Sequence, residues 1–507
     1  MVRIDKVMSV ATVKYAKKDS DKLTYALAIL LTTIILIIFL FNSKDLYHPF
    51  IFPIYFSGII IALDLVDWAR GKIEVFSPIG FLGIFGFHFF FLSPILQVYW
   101  ESGMNNVVEP QDWRVWLLGI GFINLIGLIL YRFFRRYFYR KQYIKSLGYS
   151  KWEINSRKLL IISIPILLIM FLLQTYIYIT YGGFKGYIDT YINRDGGFEG
   201  MGFIFTIAES FPIIFIILSF HFIQKSRLKD NMIVYFLLFL IFFLLKLYFG
   251  GLRGSRSNTL WGLIWFVGIY HSFVKPVKKR TIILGSILIL SFVFLYGIYK
   301  GSGDKGLEIF GTNESITELA DDTGRGIDTV LLGDLSRFRT QSFILYRLIE
   351  HPDNYQYSLG RSYIGDISIM IPKRFFPNRP PTKVKEGTEI ILGEGNYNPN
   401  KYVSSRIYGL TGEFMLNFGY IFAPFTFVIL ALFVAKVSSF FNRLNTYDAR
   451  LYLYPFFVIL CFLLLVQDLD NMVFSLIKNL FIPLLILLLV TEKQDMKENK
   501  YATSIRT

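Results

Sequence analysis

The sequence predicts an all-α polytopic membrane protein of about 12 transmembrane helices, with one large, partly helical extracytoplasmic loop. Three observations predict it. Of the 507 residues, 54% are hydrophobic and only 18% charged, against about 25% charged in ordinary soluble domains. Apolar runs of about 20 residues, the length of one bilayer crossing, recur along the chain. Lys and Arg are segregated between alternate connections, as in membrane proteins with a defined orientation. Together these exclude a soluble globular enzyme, a disordered chain and a nucleic-acid-binding domain. The single cysteine, Cys461, lies in an apolar run and reads as a small buried hydrophobe. It allows no intrachain disulfide and no cysteine metal site.

The elements follow in order. Residues 1–23 form a basic cytoplasmic arm, in which residues 3–20 read either as an interfacial helix or as a disordered segment. No cleavable signal peptide is expected, because the first apolar run is too long and has no small-residue cleavage site. Nine spans are predicted within 24–299, near 24–42, 49–66, 77–98, 115–134, 159–181, 203–223, 232–250, 257–274 and 281–299. Residues 300–410 form the large extracytoplasmic loop. Residues 411–491 carry spans near 413–436, 451–467 and 474–491, and 492–507 form a cytoplasmic tail. Backbone in lipid must satisfy its own hydrogen bonds, so the spans are helices.

Orientation comes from the basic residues. With the N-terminus inside, the inner segments hold thirty-one Lys and Arg and the short outer connections six. This places both termini in the cytoplasm. The +16 net charge then reflects topology and attraction to anionic membrane lipids.

The 300–410 connection is too long to be structureless. Lys300 to Asp334 has three basic and eight acidic residues. Arg337 to Lys385 has nine basic residues, opposed only by Glu350, Asp353 and Asp366. Within it, Asp334–Glu350 reads as an amphipathic helix with Phe338, Ser342 and Tyr346 on one side. Proline makes 371-IPKRFFPNRPPTK-383 extended, and 392-LGEGNYNPNKY-402 carries turn residues throughout.

Four constellations carry candidate chemistry. In the short turn 250-GGLRGSRSN-258, glycines allow close backbone approach. Its Arg253 and Arg256 suit bidentate phosphate binding. The plainer reading is a pair of snorkelling anchors. Arg361, Arg374 and Arg379 form either a further basic wall for an anionic substrate or a solvated loop face. In 411-TGEFMLNFGYIF-422, Glu413 starts span ten, with Asn417 one turn on. Glu413 reads as a general base or sugar-orienting carboxylate, or as a helix N-terminal acid favoured by the dipole. Glu209 sits mid-span, where an ionisable group is a functional candidate, and Lys246, Arg253 and Arg256 are its candidate partners. Asp64 and Asp67 read as boundary residues of span two. Tyr363, Tyr402 and Tyr408 are candidates for stacking on sugar rings, or for the loop's own core. His351 is the loop's one histidine. There is no H-E-x-x-H, no Cys/His cluster and no P-loop, so neither a metal nor another cofactor is expected.

At three places the chain resembles the O-antigen and capsular polysaccharide repeat-unit polymerases. These are the Arg-Gly-x-Arg turn (Arg253, Gly254, Arg256), the segment Gly360–Tyr363 followed by Ile371-Pro372 through Arg379-Pro380, and Thr411-Gly412-Glu413 with Asn417-Phe418-Gly419. The resemblance covers about residues 245–425. It implies a GT-C-like membrane glycosyltransferase in the cytoplasmic (inner) membrane. The implied substrate is an undecaprenyl-diphosphate-linked oligosaccharide at the outer leaflet, transferred from its lipid diphosphate to the non-reducing end of a fresh unit. Under this reading Arg253, Arg256, Arg361, Arg374 and Arg379 bind the diphosphate and stabilise it as it leaves. Glu413, or secondly Glu209, takes the proton of the attacking hydroxyl. Asn417, Tyr363, Tyr402 and Tyr408 bind sugar. Expected partners are the lipid-linked oligosaccharide and membrane lipids, with a chain-length regulator and a flippase as further candidates and no nucleic acid. The alternatives are a ligase of the O-antigen type and a flippase or transporter of lipid-linked oligosaccharide.

Overall fold

The computed structural model describes residues 21–104, 107–144, 150–193, 202–253, 256–302, 326–371, 374–398 and 406–494. The basic arm to residue 20, the acidic stretch up to residue 325, Tyr402 and the tail beyond 494 lie outside the described residues.

Among the described residues, seventeen helices build the fold. In chain order they are α1 (Lys22–Asn42), α2 (Ile51–Ala69), α3 (Pro78–Tyr99), α4 (Trp113–Lys141), α5 (Ser156–Thr180), α6 (Gly183–Asn193), α7 (Gly202–Lys225), α8 (Met232–Tyr248) and α9 (Arg256–Phe273). They continue as α10 (Lys279–Ser302), α11 (Phe338–Glu350), α12 (Arg361–Ser368), α13 (Val384–Leu392), α14 (Gly409–Phe418), α15 (Ala423–Phe441), α16 (Tyr454–Val466) and α17 (Leu469–Val490). Among the described residues, the only sheet is an antiparallel pair, β1 (Lys151–Ile154) with β2 (Thr491–Gln494), in register Lys151↔Gln494 to Ile154↔Thr491.

The protein is thus an all-α polytopic membrane protein. Nine helices among the described residues are long and apolar enough to cross a bilayer: α1 to α5, α7, α10 within Lys279–Tyr296, α15 and α17. α8 and α16 are shorter apolar helices, where spans near 232–250 and 451–467 were predicted. α9 stands where the 257–274 span was predicted but is not among the nine. Its first turn, Arg256-Ser257-Asn258-Thr259, and its end at His271-Ser272 dilute the apolar run. The apolar faces left on α1 (Leu30, Ile34, Ile38, Phe41) and α10 (Leu284, Ile287, Leu288) are exposed, as lipid-facing surfaces are.

The span predicted near 413–436 forms two helices. α14 ends at Phe418 because Gly419 takes φ +82°, a left-handed conformation open to glycine. α15 restarts at Ala423. Glu413 and Asn417 therefore sit on a separate ten-residue helix and not at the mouth of a span. The predicted amphipathic loop helix is present as α11, starting at Phe338. The preceding Thr329–Asp334 winds as a wider π turn.

The chain divides into two compact units. The first comprises Met1–Lys141, Lys278–Ser438 and Val458–Ser475. In it, α2 and α3 lie backbone to backbone. A Cβ at Gly83 would come 2.8 Å from Leu65 N, and one at Gly86 would come 2.9 Å from an Ile61 carbon. Small residues allow this approach, which in lipid supplies packing that hydrophobicity cannot. Asp64, placed by the sequence at a simple boundary, is instead buried. It binds Arg135 Nη2 at 2.9 Å and Arg132 Nη1 at 3.3 Å. In the same unit α11 packs against α13 and α14, and α12 packs against the first two turns of α17.

The second unit comprises Gln142–Val277, Ser439–Phe457 and Leu476–Thr507. One of its cores joins α5, α7 and the end of α17 through Leu159, Met170, Ile214, Ile486 and Val490. Another gathers Ile177, Tyr178, Tyr187 and Phe205.

Candidate functional site

The first unit buries four carboxyl groups and one lysine together. Asp468 and Lys383 arrive between helices, and Asp366, Glu413 and Asp470 on helices α12, α14 and α17. Asp468 and Asp470 flank the break between α16 and α17, where an apolar run gives way to Gln467-Asp468-Leu469-Asp470. Lys383 precedes α13, just after Pro380-Pro381. Asp366 lies on α12, which docks so closely that a Cβ at Gly365 would fall 2.2 Å from Pro381 O. Glu413 lies on α14, entered through Gly409 at φ +70°. A side chain at Gly409 would also meet Leu465 O at 2.8 Å.

Asp468 is the fully bonded member. Its Oδ1 accepts the backbone N–H groups of Tyr408 (2.8 Å) and Gly409 (2.7 Å). Its Oδ2 pairs with Lys383 Nζ. Lys383 Nζ also donates to Arg406 O (3.0 Å), lies 3.7 Å from Asp470 Oδ1 and caps the Tyr408 ring at 5.5 Å. Burial acts to lower the lysine's pKa, but Asp468 and Asp470 outweigh it and hold the ammonium charged above its ordinary range.

Asp366 and Glu413 are each half satisfied. Asp366 Oδ1 accepts Lys383 N–H at 3.3 Å, and Glu413 Oε2 accepts Leu469 N–H at 2.8 Å. Asp366 Oδ2 and Glu413 Oε1 are buried without a hydrogen-bond partner, and the two carboxyls lie near enough that each perturbs the other's ionisation. Burial pushes Asp366 up to about 7. Burial, then the charges of Asp468 and Asp366, push Glu413 well above the usual carboxylate range. Desolvation and like charge are the two effects that keep a carboxyl protonated. Asp366 is 0% exposed, Glu413 3% and Asp470 9%, so Asp470 is nearest the surface.

The other predicted loop residues fall around this cluster in different ways. Asn417 is fully buried and structural in its contacts. Its Nδ2 donates to Glu413 O (2.9 Å) and Ser362 Oγ (2.8 Å), and its Oδ1 accepts Gly360 N–H (2.9 Å). Tyr408 is a core residue, its carbonyl taking Gln341 Nε2 at 3.0 Å and its hydroxyl lying where a Gly387 side chain would be. Tyr363 is half-buried beside Phe418, with ring centroids 6.2 Å apart. Burial, then the nearby Glu413 carboxyl, raise its phenol. Arg361 and Arg374 are exposed and Arg379 half-buried. Arg361 Nε reaches only Ser358 O at 3.4 Å, and Arg374 stacks on Phe375 at 4.9 Å. His351 meets Tyr346 Oη at 3.3 Å, on the far end of α11 from Arg337.

The second unit holds the other predicted carboxylate. Glu209 lies where α7 is interrupted between Ala208 and Phe211. Pro212 has no N–H for Ala208 O, which breaks the ladder there. Glu209 Oε2 accepts Asn258 Nδ2 at 2.8 Å and pairs with Lys478. Asn258 Oδ1 in turn accepts Lys246 Nζ at 3.1 Å. Lys246 therefore joins Glu209 through Asn258, and Lys478 makes a direct contact that the sequence did not suggest. Gly250, at φ +122°, brings the turn's backbone onto the carboxylate: a Cβ there would lie 2.6 Å from Glu209 Cδ. Arg253 ends a short helical turn and Arg256 begins α9. Their side chains lie outside the described residues.

The sequence reading missed Asp366, Lys383, Asp468 and Asp470 as site residues. A signal for two of them was present: Asp468 and Asp470 interrupt a run of apolar residues between two predicted spans, and charge there carries a cost that function or pairing must offset. Asp366 and Lys383 gave no local signal, because their meeting depends on the tertiary fold. Among the described residues, no group of three or more His, Cys, Asp or Glu side chains is arranged to hold a metal ion. Compared with models of known families, with characterised proteins and with solved structures, the chain matches none.

Proposed function

We propose that the protein is a glycosyltransferase of the cytoplasmic membrane. It joins undecaprenyl-diphosphate-linked oligosaccharide repeat units at the outer face, on a GT-C-like helical scaffold with both termini inside. The observation that carries the reading is the buried Glu413 carboxyl, half satisfied beside Asp366, in the unit that also presents Arg361, Arg374 and Arg379. In the transfer, the acceptor hydroxyl attacks the anomeric carbon of the donor. The bond from that carbon to the diphosphate oxygen breaks, and its electron pair leaves with the lipid diphosphate. Arginines at the outer surface meet the developing charge; Arg361, Arg374 and Arg379 share a unit with Glu413, and Arg253 and Arg256 are the first candidates from the sequence. Glu413 takes the hydroxyl proton. Asn417 holds α14 to the Gly360–Ser362 turn and so sets the Glu413 position.

The test is the Arg253→Ala, Arg256→Ala double variant in cells. Long polymer should be lost while the protein remains in the membrane at its normal level. Normal polymer from that variant overturns the assignment of the diphosphate site.

A second reading, transport of the lipid-linked oligosaccharide, draws on the second unit. Glu209 and Lys246 are buried within apolar helices and Lys478 is half-buried beside Glu209, and such groups line paths for charged substrates in many membrane proteins. The leaflet on which substrate accumulates when the protein is absent separates the two readings.

A further inference from the structure

We propose that Asp366 and Glu413 act as one proton-binding site, a carboxyl pair that holds a single exchangeable proton between Asp366 Oδ2 and Glu413 Oε1. The geometry is specific. Each carboxyl spends one oxygen on a backbone N–H, from Lys383 and Leu469 respectively. The remaining oxygen of each is buried and has no donor. The two carboxyls lie near enough that each perturbs the other's ionisation, and two ionised carboxylates held this close repel unless a proton lies between them. The proton is thus the donor that both orphaned oxygens lack.

The surrounding charges favour the same occupancy. α12 contributes Asp366 and Tyr363, and α14 contributes Glu413. The α16–α17 break contributes Asp468 and Asp470, and the turn before α13 contributes Lys383. One ammonium faces four carboxyls. Lys383 is committed to Asp468 and next to Asp470, and among the described residues no ion pair reaches Asp366 or Glu413. Asp470 is the most exposed of the four.

The chemical role rests on the proposed transferase reading. In its doubly ionised form the pair is a stronger base than an isolated carboxylate. The acceptor O–H bond breaks, its oxygen bonds to the anomeric carbon, and the proton passes to the pair, where both oxygens share it. The electron pair of the broken glycosidic bond leaves on the diphosphate. The pair returns its proton to solvent before the next turnover. The two ionisations belong to the pair and not to either residue alone.

Infrared difference spectra of the purified full-length protein, recorded between about pH 5 and 9, read the proton without substrate. One protonated-carboxyl C=O band should disappear as pH rises through the neutral range, and Asp366→Asn and Glu413→Gln should each remove that near-neutral transition. A band that persists unchanged in either variant overturns the pair. If either variant fails to fold, Asp366→Ser, which keeps a small hydroxyl, should show the same loss. In polymer assays on membranes, Asp366→Asn should move the acid limb of the pH profile at least one unit lower. Loss of the like-charged neighbour eases Glu413 ionisation, and the amide N–H stabilises the carboxylate. The two readings fail separately. If the band behaves as stated while the Arg253/Arg256 double variant makes normal polymer, the pair stands and the transferase reading falls. If polymer needs the arginines but no carboxyl band titrates near neutrality, the reverse holds.

Discussion

Lys383 and Asp468 show how much a single contact decides at the residue scale. The pair is almost fully buried, at 3% and 0% side-chain exposure. Removing the lysine leaves an aspartate whose remaining donors are two backbone N–H groups. Breaking a buried pair from one side typically costs about 3–5 kcal/mol. Lys383→Ala should lower stability by about that amount, read as a fall in the thermal midpoint of the detergent-solubilised protein. Asp366 gives a pH signature with a definite sign. Its folded-state pKa is raised, to about 7, above an ordinary aspartate value of about 3.9. The stability it contributes is therefore fully present below the ordinary value and is lost as pH rises through about 7. Thermal midpoints should fall across that range in the wild type, and Asp366→Asn should flatten the fall. Glu413 was readable in the sequence because it sits in a distinctive run next to a predicted span. Asp366 was not: it appeared only as one of three acids opposing nine basic residues, and nothing local says that α12 carries it to Glu413.

The apolar helices were legible at the element scale, and their interruptions much less so. Long charge-poor runs announce α1, α5 and the end of α17, since length and apolarity are local properties. The breaks at Glu209, Gly419 and Asp468 lie within or beside apolar sequence, and a hydropathy window averages over them. Two of them, at Glu209 and Asp468, are also where buried charges sit. An interrupted helix frees backbone groups that charged side chains then satisfy, as Tyr408 and Gly409 N–H do with Asp468 and Leu469 N–H does with Glu413. The α2–α3 contact depends on glycine. Gly83→Val should force α2 and α3 apart, because its Cβ would face the Leu65 backbone at 2.8 Å. Overpacking of this kind costs about 1–3 kcal/mol, and the thermal midpoint again measures it. The same change at Gly285, which meets nothing within 4 Å, should leave the midpoint nearly unchanged.

Topology is the claim that belongs to the whole molecule. The thirty-one-to-six distribution of basic residues predicts that the loop carrying Asp353 faces outward and the α7–α8 connection carrying Arg227 faces inward. Cys461 is fully buried and the chain's one cysteine, so Cys461→Ser provides a background for mapping. On it, Asp353→Cys should react with an impermeant thiol reagent added to intact cells, and Arg227→Cys only after permeabilisation. The reversed pattern would put the carboxyl cluster on the cytoplasmic side and remove the basis for transfer at the outer leaflet. Polymerisation of exported lipid-linked units can be tested in cells lacking this protein, by extracting the lipid-linked oligosaccharides and assaying their length and leaflet. Single repeat units exposed on the outer leaflet are the expected result. Single units confined to the inner leaflet would contradict it in favour of transport, and long polymer still attached to lipid would contradict it in favour of a ligase.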